Sequence, residues 1–217
     1  MGCDGHIPKW YGPNIDRSAA KSSDRRPLAE MIIAQADSAS QTCHDADICA
    51  ILRYMTQLKP VKTLAMRILE AHNIGYLPIE YEVVDHLSAG QVAAAIGFPA
   101  EQTFKTLVVL PERAYARPLL ALLPGDSQLD LKKLAAAAGE KKVQMAPQRE
   151  AERLTGLEKG GISPLALLDK GWGVYMDETA ILFERVEISA GKVGHGVIVP
   201  VEPLVALLRA VLTDITA

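Results

Sequence analysis

Two short apolar runs constrain this chain most: Phe104-Lys105-Thr106-Leu107-Val108-Val109-Leu110, and Leu119-Leu120-Ala121-Leu122-Leu123. The first is rich in aromatic and β-branched residues, and residues 111–117, opened by Pro111, turn the chain between the two. Such a pair reads as a β-hairpin. No run in the chain approaches the roughly 20 apolar residues of a membrane span. The core therefore has to be built around a sheet.

The flanking pattern is mixed. Leu64, Ile68 and Leu69 share one face of a helix that Gly75 is expected to stop. Ile79, Tyr81 and Val83 alternate with Glu80 and Glu82, as in a half-buried strand. Ser88 and Gln91 form a capping box for a short helix ended by Gly97. Asp130 suits an N-cap, Leu129 and Leu134 have the spacing of a hydrophobic staple, and Gly139 closes that helix. Strands are expected at 143–145, 173–176, 181–188 and 196–199, with turns at 177–179 and 190–194, and a short helix at 148–154. Leu204, Leu207, Leu208, Val211, Leu212 and Ile215 make an apolar stripe that predicts one long final helix. Hairpins and helix-linked strands together predict an α/β fold with a mixed sheet.

Residues 1–60 read differently. They hold Cys3, Cys43 and Cys49, carry polar turn-rich stretches, and show no sustained period, although short helices are expected at 28–36 and 46–57. They are expected to be a poorly patterned extension or the product of an upstream start, with Met55 just before regular patterning begins. Cys43-His44 and Cys49 lack paired zinc-ligand spacing, so isolated thiols are expected rather than a metal site. Three cysteines do not make a disulfide scaffold, and the first residues lack a signal-peptide pattern, so a cytoplasmic location is expected. Lys plus Arg is 23 against 26 for Asp plus Glu, a net charge of −3. That balance excludes extended non-specific binding to DNA or RNA while leaving room for a local basic pocket.

Common catalytic motifs fail on inspection. Gly161-Ile162-Ser163-Pro164-Leu165 ends in Leu where a nucleophile elbow needs Gly. Val186 stands where a phosphate-binding loop ending at Gly191-Lys192 needs its first glycine, and Gly171-Trp172-Gly173 lacks the third glycine of a dinucleotide fingerprint. Three features remain. Lys105, inside an apolar strand, either lies on the solvent face or points into a cavity where a negative group meets it. Gly160-Gly161-Ile162-Ser163-Pro164 is either an ordinary turn or a bare-backbone nest for a carbonyl oxygen or phosphate. Ser189-Ala190-Gly191-Lys192-Val193-Gly194 is a tight turn with one exposed cation.

Six segments in one order resemble a known family. They are Phe104-Lys105-Thr106-Leu107, Gln128-Leu129-Asp130-Leu131-Lys132-Lys133, Lys141-Lys142-Val143-Gln144-Met145-Ala146, Thr155-Gly156, Gly160-Gly161-Ile162-Ser163-Pro164-Leu165 and Ser189-Ala190-Gly191-Lys192. Over residues 61–217 the chain resembles the YbaK/EbsC type of free-standing aminoacyl-tRNA editing domain, related to the insertion domain of bacterial prolyl-tRNA synthetases. The resemblance implies a six-stranded, barrel-like mixed sheet flanked by helices, and no cofactor. It implies hydrolysis of a mischarged aminoacyl-tRNA ester, with the Lys-Lys-Val-x-Met-Ala piece favouring Cys-tRNA(Pro). Hydrolysis of Ala-tRNA(Pro) or another small aminoacyl ester, and a non-catalytic module that holds a tRNA end or docks on a synthetase, are the alternatives. Prolyl-tRNA synthetase is the implied partner.

The resemblance also implies roles for residues. Lys105 anchors the acceptor end, with Thr106 beside it, and the amides of Gly160, Gly161 and Ile162 receive the ester oxygen. Ser163 and Pro164 complete that loop, Tyr81 and Asp177 line the pocket, and Lys192 touches RNA phosphates. Ala190 and Val193 depart from a glycine and a basic residue of the family pattern, and 85–88 shows no match for an expected aromatic.

Overall fold

The computed structural model describes residues 62–82 and 88–217, and the two apolar runs pair as antiparallel strands. In chain order, α1 (Leu64–Ala71) and β1 (Leu77–Glu80) precede α2 (Ala89–Ile96), and then come β2 (Thr103–Pro111) and β3 (Leu119–Pro124). Next are α3 (Leu131–Ala137), β4 (Val143–Met145) and α4 (Gln148–Thr155). The last part holds β5 (Gly173–Asp177), β6 (Arg185–Lys192), β7 (His195–Pro200), α5 (Val201–Leu208) and β8 (Val211–Thr213). Residues 1–61 and 83–87, with the cysteines, the helices expected at 28–36 and 46–57, and Val83, lie outside the described residues.

The sheet runs β1-β7-β6-β2-β3-β5-β8, with β4 added on β2. It is mixed, as expected, because β2, β3 and β5 pair parallel with β6, β5 and β8 respectively while the hairpins are antiparallel. Among the described residues the sheet has eight strands rather than six, and β4 and β8 are three-residue pieces. β3 is buried at every position. Leu120 and Leu122 enter the main core with Met176, Ile188 and Leu204, whereas Leu119 and Ala121 enter a second core with Leu134, Val143 and Ile215. A central strand covered on both faces has to be apolar throughout. Each fully buried leucine contributes about 1.5–3 kcal/mol.

Local rules hold at several helix ends. Ser88 Oγ accepts from Gln91 N at 3.3 Å and Gln91 Oε1 accepts from Ser88 N at 2.8 Å, while Gly97 closes α2 at φ 65°. Asp130 Oδ1 accepts from the amides of Lys132 and Lys133, and Leu129 packs on the core that buries Leu134.

Four expectations need correction. Asn73, at φ 57°, rather than Gly75 supplies the left-handed turn after α1. Residues 178–182 form a 3-10 turn capped by Asp177, so β6 begins at Arg185 and not at 181. β6 then runs on to Lys192 through a bulge between Ser189 and Lys192, leaving only Val193 and Gly194 in the turn. The final helix stops at Leu208, where Arg209 turns left-handed at φ 50°, and 211–213 becomes a strand. Val211 and Thr213 are β-branched, and the open edge of β5 offers them hydrogen bonds that a longer helix would forgo. Among the described residues no helix is long and apolar enough to cross a membrane.

The site is set by how β2 shares one edge. β6 pairs with it at Thr103 and Phe104, β4 pairs with it at residues 109–111, and among the described residues no strand pairs there in between. The sheet splits along Lys105–Val108.

Candidate active site

A cavity of about 390 Å³ opens at this split, walled by β2, the start of α2, α4, the loop at Gly160 and the β6–β7 turn. Its volume lies in the range of small-ligand sites. Lys105 is half-buried in its wall. The Lys105 ammonium donates to the carbonyl of Gly125 at 3.1 Å and to that of Ser127. Those two acceptors hold the side chain over the cavity and leave one of the three N–H donors of an ammonium for a ligand. Gly125 has to be glycine for this, since a Cβ would stand 2.8 Å from Ala89 Cβ and 3.1 Å from the Thr103 carbonyl. Burial pulls the Lys105 ammonium below the ordinary lysine range, and Asp126 nearby opposes that shift. Thr106 also lines the cavity, and among the described residues its buried Oγ1 has no hydrogen-bond partner.

The two loop glycines are there for different reasons. Gly160 sits at φ 85° with open space around it. Gly161 is needed for room, because a Cβ there would stand 3.0 Å from Val193 N and 3.2 Å from Lys192 C. The Gly161 amide donates to the Glu158 carbonyl at 2.9 Å, closing the turn. It is therefore committed, which corrects the expectation that it receives a ligand oxygen. Among the described residues no acceptor takes the amides of Gly160 and Ile162, and both residues line the cavity.

Carboxyls occupy the remaining wall. Glu152 Oε1 accepts from Gln148 Nε2 at 3.0 Å and from the Lys159 amide at 3.2 Å. Glu187 is 3% exposed, and burial pushes its carboxyl up to about 8. Tyr81 stands near it, its phenol raised by burial and by the Glu187 charge. No histidine or cysteine lines the cavity among the described residues.

Of the ten residues proposed from sequence, the cavity brings together Lys105, Thr106, Tyr81, Gly160 and Ile162. Gly161 stands just behind the wall. Ser163 is fully buried, its Oγ without a partner among the described residues, packed below the β6 bulge near Gly191, and Pro164 leads into the 3-10 turn Leu165–Lys170. Asp177 lies outside the cavity. Its Oδ1 accepts from Thr179 N at 3.1 Å and Thr179 Oγ1 at 2.6 Å, and its Oδ2 from Ile215 N at 3.2 Å. Those bonds hold the chain ends of β5 and β8 and correct its assignment to the pocket. Lys192 is exposed where β6 meets its turn, beside the cavity-lining Val193. Ala190 is buried in the main core, so the methyl that departs from the family pattern is packed. Sequence reasoning missed Glu187, Glu152 and Gly125. The trace of Glu187 was Gly196, an interior-strand glycine of the kind that marks a close approach.

The model of the aminoacyl-tRNA editing domain matches residues 85–207. The chain belongs to the aminoacyl-tRNA editing domain family. Editing is hydrolysis of the ester that joins an amino acid to tRNA, so the chain is an aminoacyl-tRNA deacylase. A relative from Enterococcus faecalis, named "Putative Cys-tRNA(Pro)/Cys-tRNA(Cys) deacylase EbsC", is 39% identical over 158 residues, covering 71% of this chain and 93% of that protein. A proline--tRNA ligase of Shouchella clausii is 30% identical over 105 residues, 48% of this chain but only 18% of that longer protein. The fold is shared with a solved structure described as a "putative trans-editing enzyme for prolyl tRNA synthetase", at 24% identity and TM-score 0.62, covering 74% of this chain and 99% of that one.

Proposed function

We propose that this editing domain acts in trans on mischarged Cys-tRNA(Pro), with the cysteinyl thiol serving as nucleophile. The observation that carries the reading is a cavity that joins a tethered lysine to two uncommitted loop amides and that, among the described residues, is lined by no histidine or cysteine. A site built in this way orients a substrate and stabilises charge rather than attacking it. The substrate sulfur forms a bond to its own ester carbonyl, the carbon–oxygen bond to the ribose breaks, and the thiol proton passes to the leaving ribose hydroxyl. The products are free tRNA and a cyclic thioester, which water then opens to cysteine. The amides of Gly160 and Ile162 receive the developing oxyanion, and a donor so placed is worth roughly 3 kcal/mol in the barrier. Lys105 holds the terminal adenosine at its phosphate or hydroxyl region, and the exposed Lys192 meets an RNA phosphate.

Such an enzyme serves a prolyl-tRNA synthetase, whose pocket rejects cysteine weakly because one methylene distinguishes substrates by only about 1–3 kcal/mol. Prolyl-tRNA synthetase is the proposed partner, and the match to a proline--tRNA ligase supports that link. The proposed domain runs over residues 61–217, with 1–60 as an extension. Deacylation of Cys-, Ala- and Pro-tRNA(Pro) tests the reading: Cys-tRNA is cleaved and Pro-tRNA spared. S-Methylation of the cysteinyl group stops the reaction, whereas undiminished hydrolysis of the blocked ester would assign the attack to water.

A further inference from the structure

The cavity contains a buried carboxyl to which the proposed reaction gives no task. Glu187 stands in the wall, 3% exposed, and among the described residues its carboxyl has neither a hydrogen bond nor an ion pair. Space has been made for it. A Cβ on Gly196 would lie 2.2 Å from Glu187 Oε1 and 3.2 Å from its Cδ, so any other residue in that place would displace the carboxyl.

The groups packed around it do not neutralise it. From β2, Thr103 lies opposite Glu187 in the ladder, but its hydroxyl donates to the Pro99 carbonyl at 3.1 Å. From the same strand, the Lys105 ammonium is held by the carbonyls of Gly125 and Ser127. From β7, Ile198 is the ladder partner, while His195 turns Nδ1 to the Val193 carbonyl at 3.2 Å and Nε2 toward Glu80 at 3.8 Å. Tyr81 brings a phenol and no positive charge.

An unpaired carboxyl in an apolar wall is costly unless a counter-charge meets it. Here the counter-charge has to arrive with the ligand. The end of an aminoacyl-tRNA carries one cation, the α-ammonium of the esterified amino acid. Resting on the deacylase reading, we propose that Glu187 is the receptor for that α-ammonium, and that through it the cavity tells a free aminoacyl ester from an N-blocked or uncharged end. Without a cation beside it the Glu187 carboxyl, raised to about 8, keeps its proton at neutral pH. Binding of the ammonium ionises it and sends one proton to solvent.

The test uses two stable adenosine analogues and calorimetry on the full chain. One is 3′-cysteinylamido-3′-deoxyadenosine; the other has a hydroxyl in place of its α-amine. Wild type binds the ammonium form roughly 10- to 100-fold more tightly. Its binding heat at pH 7 changes with the ionisation enthalpy of the buffer, as proton release requires. Glu187→Gln binds both analogues within about twofold and releases no proton. Equal binding of the two by wild type overturns the inference without any variant, as does an undiminished preference in a folded Glu187→Gln. Turnover of Cys-tRNA(Pro), measured in parallel, separates the levels. Its absence in wild type overturns the Cys-tRNA(Pro) reading, whereas turnover without ammonium preference overturns the Glu187 assignment alone.

Discussion

Asp177 and Glu187 are carboxyls buried in one sheet, 1% and 3% exposed, and they are buried for opposite ends. Asp177 accepts three hydrogen bonds, from Thr179 N, Thr179 Oγ1 and Ile215 N, and binds the end of β5 to the chain after β8. Glu187 accepts none among the described residues, and a glycine on β7 keeps space for it. A saturated buried carboxylate does structural work, while an unsaturated one beside a cavity is kept for something that binds.

The sharpest way to break this contrast is pH. The folded chain holds the Glu187 proton to about 8, against an ordinary carboxyl value of 4.5. Below 4.5 both states are protonated and the burial is harmless. As pH rises toward 8 the unfolded chain ionises first, so stability falls at about 1.4 kcal/mol for each pH unit. The loss between pH 5 and 8 is on the order of 4 kcal/mol, and Glu187→Gln removes it. Urea unfolding of both proteins across that range measures the slope; parallel pH profiles would show that Glu187 is not held neutral.

Asp177→Ala comes next. It strands the Ile215 amide in the second core and costs about 3 kcal/mol, read as a lower urea midpoint, with deacylation retained per folded molecule. Loss of turnover in a folded Asp177→Ala would return Asp177 to the site. Gly196→Ala then costs about 2 kcal/mol by forcing the Glu187 carboxyl aside, and the cost shrinks in a Glu187→Ala background. Equal costs in the two backgrounds would deny the contact. The smallest effect is at Gly160→Ala, about 1 kcal/mol for a side chain at φ 85°.

The contrast also shows what the sequence could reveal. Rules confined to neighbouring residues were legible: the Ser88–Gln91 box, the Asp130 cap and the Leu129–Leu134 staple need no distant partner. The final helix misled, because Val211, Leu212 and Ile215 continue an apolar stripe whose period cannot sense the open edge of β5. Glu187 alternates with Val186 and Ile188, and such a strand reads as having its charge in solvent; only the covered far face reverses that reading. Asp177 was legible as a turn residue, but its bond to the distant Ile215 amide was not. For Lys105 the pattern left two orientations open, and the choice rests on carbonyls twenty residues and more along the chain.

The central claim is that Lys105 and the Gly160 loop form one deacylation site, and Cys-tRNA(Pro) turnover by Lys105→Ala tests it most directly. The account predicts a loss of roughly 100-fold or more in a protein whose urea midpoint stays near that of wild type. Full turnover in the folded variant would contradict it.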